Sequence, residues 1–238
     1  MRLGFVGTGT IASAVVQGLA DDGHVITVSE RGAAQSAALA ARHDCVRVAP
    51  NQGVVDASDT LFLGLLPAVA PEVLRALRFR PEQTVISFMA DLPLEVLADL
   101  VAPARAAAIV LPFPGIARGG SPLLVLGDRA PVDSLFGARN TLFVLRDAAE
   151  LDAFLCAQAV LSPAAALVGA AGDWLAERGY DGADFLRLLV GSSLIDSPTA
   201  PLLRALDTPG GYNQRLRQHL ERAGMAQTLR QGLDSLEG

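Results

Sequence analysis

Short apolar runs alternate with helix-like stretches over the first 147 residues of the chain. The runs are continuously apolar, which is typical of strands covered on both faces of a mainly parallel sheet. The stretches between them carry apolar residues at helical spacing, as in Ile11, Val15 and Leu19. Strands that alternate with helices predict a doubly wound α/β domain. The predicted strands are residues 3–6, 24–29, 61–66, 84–88, 107–111, 123–126 and 141–145.

The strand pattern ends near residue 147, and the spacing after it is helical. We therefore predict two domains: a doubly wound α/β domain over residues 1–147 and an all-helical domain over residues 148–238. The helices predicted in the second domain are 148–161, 163–178, 182–195, 200–206 and a longer one through Leu216, Leu229 and Leu236.

The first predicted strand leads into a glycine turn and then into an amphipathic helix. Gly7, Gly9 and Ala12 fit the dinucleotide-binding pattern G-x-G-x-x-G/A. Gly7 permits a tight turn, Gly9 leaves room for a pyrophosphate, and Ala12 lets the helix pack closely on the strand. The N–H groups at the helix start would point at the phosphates. The pattern predicts a Rossmann-type domain that binds NAD or NADP. The alternative is the same fold with a vacant or non-nucleotide site.

Two residues of opposite charge follow the second predicted strand. Glu30 stands where a carboxylate can accept hydrogen bonds from the hydroxyl groups of the adenosine ribose. Arg31 can instead pair with the 2′-phosphate of NADP. This pair leaves the choice between NAD and NADP open.

Composition and charge narrow the class of protein. The net charge is −6 and no run of basic residues occurs, which argues against a nucleic-acid partner. Cys45 and Cys156 lie far apart and the three histidines are isolated, so we expect neither a disulfide nor a metal site. Hydrophobic residues make up 51% of the chain, enough for a sizeable core. The N-terminus has no signal-peptide pattern, and we expect a cytoplasmic protein.

One apolar segment, residues 153–172, raises the question of a membrane span because it contains no charged residue. A spanning helix needs about 20 apolar residues. This segment, however, is mostly Ala and Gly, with Gln158 and a Ser162-Pro163 pair inside it. We expect a pair of helices packed in a protein core or between subunits, and no membrane partner.

Several segments of the first domain match the motifs of one known family. The opening turn, Gly7 to Ile11, looks like the first turn of that family. Ser29-Glu30-Arg31 stands where it has a small residue or Asn before Arg. The other three matches are Leu65-Leu66-Pro67 for Val-Lys-Pro, Ile86 to Ala90 for Ser-x-x-Ala-Gly, and Leu111-Pro112-Phe113-Pro114 for a shortened Met-Pro-Asn-Thr-Pro.

The helical part carries the most specific match. Residues 208–213, Thr-Pro-Gly-Gly-Tyr-Asn, are similar to a family motif Ser-Pro-Gly-Gly-Thr-Thr, also placed just before the last long helix. Ser162-Pro163-Ala164 is similar to Ser-Gly-Pro-Ala. With these motifs the chain resembles the pyrroline-5-carboxylate reductases over nearly its whole length.

The resemblance implies a two-domain NAD(P)H-dependent reductase, with NADP the expected cofactor and NAD possible. Its helical domain would form a homodimer and complete the active site between subunits. Hydride would pass to the C=N carbon of a small cyclic imine carboxylate, as in proline biosynthesis. The Pro-Gly-Gly turn would bind the substrate carboxylate through backbone N–H groups.

The residues implied fall into three groups. The cofactor-binding residues are Gly7, Thr8, Gly9, Thr10, Ile11, Ser29, Glu30, Arg31, Leu65, Pro67 and Ala90. The substrate-binding residues are Ser162, Gly210, Gly211 and Tyr212. The catalytic residues are Thr208 and Asn213, with Asn213 in the place of the Thr that hydrogen-bonds the ring nitrogen.

The turn also has a purely structural interpretation, in which Thr208 is the N-cap of the last helix and Pro209 its first residue. Departures from the family pattern fall near the substrate: Leu66 replaces a Lys, Asp91 a Gly, and Tyr212 the first Thr. A different imine, or lost activity, is consistent with them.

Two other functions are therefore considered. One is a nucleotide-binding protein without turnover. The other is a dehydrogenase or reductase for another small substrate, such as a hydroxy acid. Enzymes of that second class usually carry a catalytic lysine in the helical domain, whereas this chain contains no lysine.

Overall fold

The computed structural model describes residues 1–237. The strands of this range are β1 (Arg2–Val6), β2 (Val25–Ser29), β3 (Val46–Ala49), β4 (Thr60–Leu63), β5 (Thr84–Ser87), β6 (Arg105–Pro112), β7 (Pro122–Gly127) and β8 (Thr141–Leu145). Its helices are α1 (Thr10–Leu19), α2 (Ala33–Arg42), α3 (Asn51–Ala57), α4 (Ala70–Arg75), α5 (Leu94–Val101), α6 (Arg129–Phe136), α7 (Ala148–Gln158), α8 (Leu161–Ala176), α9 (Ala183–Asp196), α10 (Thr199–Ala205), α11 (Tyr212–Arg222) and α12 (Met225–Asp234).

All the strands belong to one sheet with the order β3-β2-β1-β4-β5-β6-β7-β8. β1 to β6 are parallel, β7 is antiparallel to β6, and β8 is parallel to β7. The chain moves outward from β1 to β3 and then returns to the other side of β1, so the strand order reverses between β1 and β4. This confirms the predicted doubly wound fold. Ligands of such sheets bind beyond the carboxyl ends of the strands at the reversal.

The core has two layers, one on each face of the sheet. Phe5 and Phe62 belong to one layer, and Val6, Leu61 and Leu63 belong to the other. Successive residues of a strand point to opposite faces, so a strand that is covered on both sides is apolar throughout. The rings of Phe5 and Phe62 stack with centroids 4.6 Å apart, which joins the two strands next to the reversal.

The structure differs from the predicted elements in three places. β3, α3 and α6 were not predicted, because β3 and α3 are short and the exposed residues of β3 break its apolar run. β4 ends at Leu63 rather than at residue 66. The last long helix is in fact two helices, α11 and α12, because Gly224 between them adopts φ 87°, a left-handed conformation that a helix cannot contain.

The chain divides into two compact units, Met1–Leu151 and Asp152–Gly238. The boundary lies four residues after the predicted one, within α7, directly after the buried Leu151. The second unit is helical over its described residues. Ala148–Ala176, which spans α7 and α8, is long and apolar enough to cross a membrane by length and composition alone, and an 18-residue stretch of it has a mean hydropathy of 1.7.

Candidate functional site

The predicted cofactor residues of the first unit follow four strands at one edge of the sheet. Gly7 to Ile11 follow β1, and Glu30 and Arg31 follow β2. Leu65 and Pro67 follow β4, and Ala90 follows β5. These strands are neighbours and run parallel, so their carboxyl ends share the edge at which the strand order reverses. The topology therefore collects these residues at one place.

Gly7 makes the close approach that its position in the motif predicts. It has φ 94°, and a Cβ there would lie 2.4 Å from the carbonyl oxygen of Gly64. Gly64 directly follows β4, and its N–H donates to the carbonyl of Val6 at 2.9 Å. The β1 and β4 turns are thus in backbone contact, which requires glycine at Gly7 for steric reasons.

Gly9, unlike Gly7, has open space around it. Its φ of −86° is open to any residue, and a Cβ there would meet nothing within 4 Å. The fold itself does not need a glycine here, and the backbone at this point is open to a ligand. Gly9 is the N-cap of α1, which has no side-chain cap and no acidic residue in its first turn. Its first N–H groups are therefore free for an anion.

Thr8 and Ser29 are almost fully buried, although both were predicted to bind the cofactor. The Ser29 hydroxyl accepts from the N–H of Gly7 at 2.9 Å. The Thr8 hydroxyl donates to the Ser29 carbonyl at 3.0 Å. Ser36 of α2, which sequence reasoning missed, donates to the same carbonyl at 2.6 Å. These hydroxyls bind protein groups, and any role toward a ligand is exerted through the backbone they hold.

Glu30 and Arg31 are exposed, and neither forms an ion pair within residues 1–237. Gly32 follows them with φ 91°, and a Cβ there would lie 2.8 Å from the Thr8 carbonyl oxygen. The β2 loop thus touches the glycine turn of β1. Both charged side chains remain available beside that turn.

Apolar and half-buried groups follow β4 and β5. Leu65, Pro67 and Ala90 are each half-buried, whereas Leu66 is 73% exposed. The Ser87 hydroxyl accepts from the N–H of Met89 at 3.0 Å and fixes the chain just before Ala90. The residues that follow β4 and β5 are therefore mainly apolar and only partly covered.

The predicted substrate turn lies in the second unit, between α10 and α11. α11 begins at Tyr212 with Gly211 as its N-cap, and no side chain caps it. The structural alternative is therefore wrong: Thr208 is not the N-cap and Pro209 is not the first helical residue. Thr208 instead closes the turn, because its carbonyl accepts from the N–H of Gly211 at 2.9 Å.

The side chains of Asp207, Gln214 and Arg217 hold this turn, and we call them the side-chain clamp. The Gln214 side chain accepts from the N–H of Gly210 at 2.9 Å and donates to Asp207 at 3.1 Å. Arg217 pairs with the same Asp207 carboxylate. The N–H groups of Gly210 and Gly211 are thus already hydrogen-bonded inside the turn. The N–H groups of Tyr212 and Asn213, at the helix start, remain available to a ligand. Sequence reasoning missed Gln214, and only its spacing from Gly210 could have suggested it.

The other predicted residues of this unit are exposed. Thr208, Asn213 and Ser162 are exposed, and Tyr212 is 89% exposed. Ser162 lies in the first turn of α8, a different element from the 208–213 turn. An open groove of about 600 Å³ runs along one exposed face of α11 and is lined only by residues of that helix, among them Tyr212, Arg215 and His219. No group of three or more metal-ligating side chains occurs within the described part of the chain.

Comparison with known proteins agrees with this architecture. Residues 2–91 match the family model described as "NADP oxidoreductase coenzyme F420-dependent". No curated protein matches the sequence. Among solved structures, the 1-pyrroline-5-carboxylate reductase of Streptococcus pyogenes aligns with a TM-score of 0.80 at 23% identity, covering 99% of this chain and 96% of that one.

Two further structures extend the comparison. The pyrroline carboxylate reductase of Plasmodium falciparum, solved with NADP bound, aligns with a TM-score of 0.80 at 14% identity over 99% of this chain and 95% of that one. A reductive aminase of Aspergillus terreus, solved with NADPH4, cyclohexanone and allyl amine, aligns with a TM-score of 0.59 at 21% identity, covering 93% and 77%. The chain has the fold of these reductases. The fold implied by the sequence resemblance is thereby confirmed.

Proposed function

We propose that the chain is an NADPH-dependent oxidoreductase that reduces the C=N bond of a small cyclic imine carboxylate, as in proline biosynthesis. One observation carries the proposal: the open space over Gly9, at the strand reversal and in front of a free helix start. The family match of residues 2–91 and the shared reductase fold support it.

The residues present fit a bound dinucleotide. The free N–H groups at the start of α1 would hold the pyrophosphate. The first turn of α1 contains no acidic side chain that would repel it. Exposed Arg31 would pair with the 2′-phosphate of NADP, and exposed Glu30 would accept from a ribose hydroxyl. The half-buried residues Leu65, Pro67 and Ala90 would line the nicotinamide pocket.

The bound nicotinamide would supply the hydride for the imine carbon. The protein supplies orientation and charge stabilisation. The free N–H groups of Tyr212 and Asn213, together with Ser162, would bind the substrate carboxylate. The Asn213 amide would hydrogen-bond the ring nitrogen or hold the water that protonates it, and Thr208 keeps the turn closed through its carbonyl.

The second unit would form a homodimer. Many of its large apolar side chains are exposed, such as Leu188, Leu194 and Ile195 of α9. Exposed apolar surface of this extent marks an interaction site. A second copy accounts for it without a membrane or a nucleic acid as partner. The free cysteines Cys45 and Cys156 are compatible with a cytoplasmic location.

The test is NADPH oxidation by the purified chain with a panel of imines. The panel contains pyrroline-5-carboxylate, a six-membered ring analogue, and the same rings without the carboxylate. We expect turnover with at least one carboxylate and a much higher KM for its uncharged counterpart. Repeating the assay with NADH in place of NADPH measures the cofactor preference.

Three results would contradict parts of the proposal. Equal turnover of charged and uncharged imines would overturn the role of the 208–213 turn. Oxidation of a hydroxy acid by NADP⁺, measured as formation of NADPH, with no turnover of any imine would replace the reaction class. NADPH binding without turnover on any member of the panel would support a nucleotide-binding protein instead.

A further inference from the structure

Three buried hydroxyl groups meet at the carboxyl end of β2. Ser29 and Ser36 have no exposed surface, and Thr8 is 3% exposed. Their bonds converge on the backbone and hydroxyl of Ser29, with lengths of 2.6 to 3.0 Å and one longer hydroxyl contact of 3.3 Å. We call this group the hydroxyl cluster.

Each bond of the cluster joins two different segments. Ser29 ends β2, Thr8 and Gly7 form the turn after β1, and Ser36 is the fourth residue of α2. The turn of β1 is therefore tied to the end of β2 twice, once by the Gly7 N–H and once by the Thr8 hydroxyl. The loop of residues 30–32 is held at its two ends, by Ser29 and by Ser36.

Both tied segments carry ligand groups of the proposed function. The β1 turn presents the backbone for the pyrophosphate, and residues 30–31 present the charged side chains for the ribose end. In a dinucleotide these two groups are covalently joined at a fixed separation. A protein that fixes the separation of its two loops loses less conformational entropy on binding.

We propose that Ser29 is a positioning residue that, with Thr8 and Ser36, sets the separation between the pyrophosphate turn and the ribose loop. The inference rests on the proposed function, since it takes a dinucleotide as the ligand. It assigns Thr8 and Ser29 an indirect role in ligand binding. It also adds Ser36, which belongs neither to the pyrophosphate turn nor to the charged residues 30–31.

The cluster predicts a different effect for each member. Ser29→Ala removes the hydroxyl that accepts from the buried Gly7 N–H, but it keeps the carbonyl that Thr8 and Ser36 bond. It therefore loosens the turn after β1, which would hold the pyrophosphate shared by both ligands, and we expect Kd to rise about tenfold for both NADPH and NADH. Ser36→Ala loosens only the end of the ribose loop. We expect it to lower the preference for NADPH over NADH about threefold, because these ligands differ only in the 2′-phosphate.

A matched control exists in the same sheet. Ser58 is also fully buried, and its hydroxyl donates to the Val54 carbonyl at 2.8 Å. It lies before β4, at the opposite edge of the sheet from the glycine turn. Ser58→Ala therefore removes a comparable buried hydrogen bond away from the ligand. We expect it to lower the melting temperature as Ser29→Ala does and to leave both Kd values unchanged.

The experiment measures Kd of the full chain for NADPH and NADH by calorimetry, with melting temperature measured in parallel. Thr8→Val and Thr8→Ser form a rescue pair, since serine keeps the hydroxyl that donates to Ser29. We expect Val to raise Kd and Ser to restore it. If Ser29→Ala does not fold, the Thr8 and Ser36 variants decide the outcome.

The results separate this inference from the proposed function. Tight NADPH binding that is unaffected by the Thr8, Ser29 and Ser36 variants would overturn the inference alone. The inference would also be overturned if the cluster variants changed Kd no more than Ser58→Ala does at the same loss of melting temperature. NADPH binding that depends on the cluster, without imine turnover, would uphold the inference and overturn the reductase activity. A wild-type chain that binds neither ligand would overturn both.

Discussion

The two units use their apolar residues in opposite ways. In Met1–Leu151, β1, β2 and β4 are almost entirely buried, and helices cover both faces of the sheet. Among the described residues after Leu151, no hydrophobic side chain is classed as buried, and Ile195 is 85% exposed. The first unit contains its own core, whereas the second leaves most of its large apolar side chains exposed.

The difference extends to the two candidate sites. The dinucleotide turn is fixed by backbone contacts and buried hydroxyls inside a packed domain. The 208–213 turn is fixed by an exposed clamp, in which Gln214 and Asp207 are joined at 3.1 Å. Exposed polar contacts are individually weak because water competes for both partners. We therefore expect cofactor binding to survive changes that abolish turnover.

The largest effect should come from charge on the apolar face of α9. Leu188→Glu with Ile195→Glu replaces two exposed side chains that stand two helical turns apart. Burying a carboxylate in a subunit interface is costly. We expect a monomer and a loss of turnover of about a hundredfold or more, while the Kd for NADPH stays near wild type. Light scattering and titration with NADPH check these outcomes.

The control for that variant is Val96→Glu on α5 of the first unit, which is 44% exposed. It adds one carboxylate outside the helical unit and should leave the oligomeric state unchanged. A Leu188→Glu/Ile195→Glu chain that remains a fully active dimer would show that α9 is not the interface.

The next effect separates fold from ligand binding within one turn. Gly9→Val adds a side chain in open space at an allowed φ of −86°, so the melting temperature should fall only by the small cost of a poorer N-cap residue, and by less than for Gly7→Ala. The Kd for NADPH should rise at least about tenfold, because the side chain fills the space over the helix start. Calorimetry and thermal melting measure the two quantities.

Gly7→Ala gives the contrasting result. Its Cβ would lie 2.4 Å from the Gly64 carbonyl at φ 94°. We expect a destabilisation of about 1–3 kcal/mol. If Gly9→Val lost stability to the same degree as Gly7→Ala, Gly9 would serve the fold and not a ligand.

A moderate effect on turnover is expected at the exposed turn. Asn213→Ala removes the amide proposed to meet the imine nitrogen, and we expect kcat to fall about tenfold with little change in the KM for NADPH. Steady-state kinetics with the best imine of the panel measure both. Unchanged kcat would remove Asn213 from the catalytic residues, and Gln227→Ala on α12 serves as an exposed control.

The smallest effect concerns a surface contact of the first unit. Arg105 hydrogen-bonds Asp128 at 2.7 Å, and the Ala130 N–H donates to the same carboxylate at 2.9 Å. Both lower the pKa of Asp128 below its ordinary value. A lowered folded-state pKa gives stability that is present above the unfolded pKa and is lost as pH falls through the folded value.

Asp128→Ala should therefore lower the melting temperature slightly at neutral pH. The difference from wild type should shrink as the pH falls below about 4. Melting curves across this range measure it. A difference that grows on acidification would contradict the assigned contact.

The sequence was sufficient to predict the doubly wound fold of the first unit, because strands buried on both faces appear in the sequence as continuous apolar runs. Continuous apolar runs predicted its central strands, and Gly7 and Gly9 predicted the turn. β3 was missed because an edge strand carries exposed positions such as Arg47 that interrupt the run. Gly64 and Ser36 were missed because their roles depend on which strand lies beside which.

The sequence was less informative for the second unit. Gly224 was not recognised as a break between two helices, although glycine in a left-handed conformation commonly ends a helix. The Thr208–Asn213 motif was found only through a family resemblance. That resemblance did not reveal the clamp on the turn, because Gln214, Asp207 and Arg217 come together only when the turn folds.

By itself, the sequence determined the alternating strands and helices, the change to helices near residue 147, and the glycine turn, because these are local or periodic properties. Only the tertiary structure decided that Thr8 and Ser29 face inward, and that a backbone contact requires glycine at Gly7 whereas the space over Gly9 is open. It also showed that two glycine N–H groups of the Pro-Gly-Gly turn are already bonded. These facts depend on contacts between segments distant in the chain or on the direction of a side chain, neither of which residue spacing encodes.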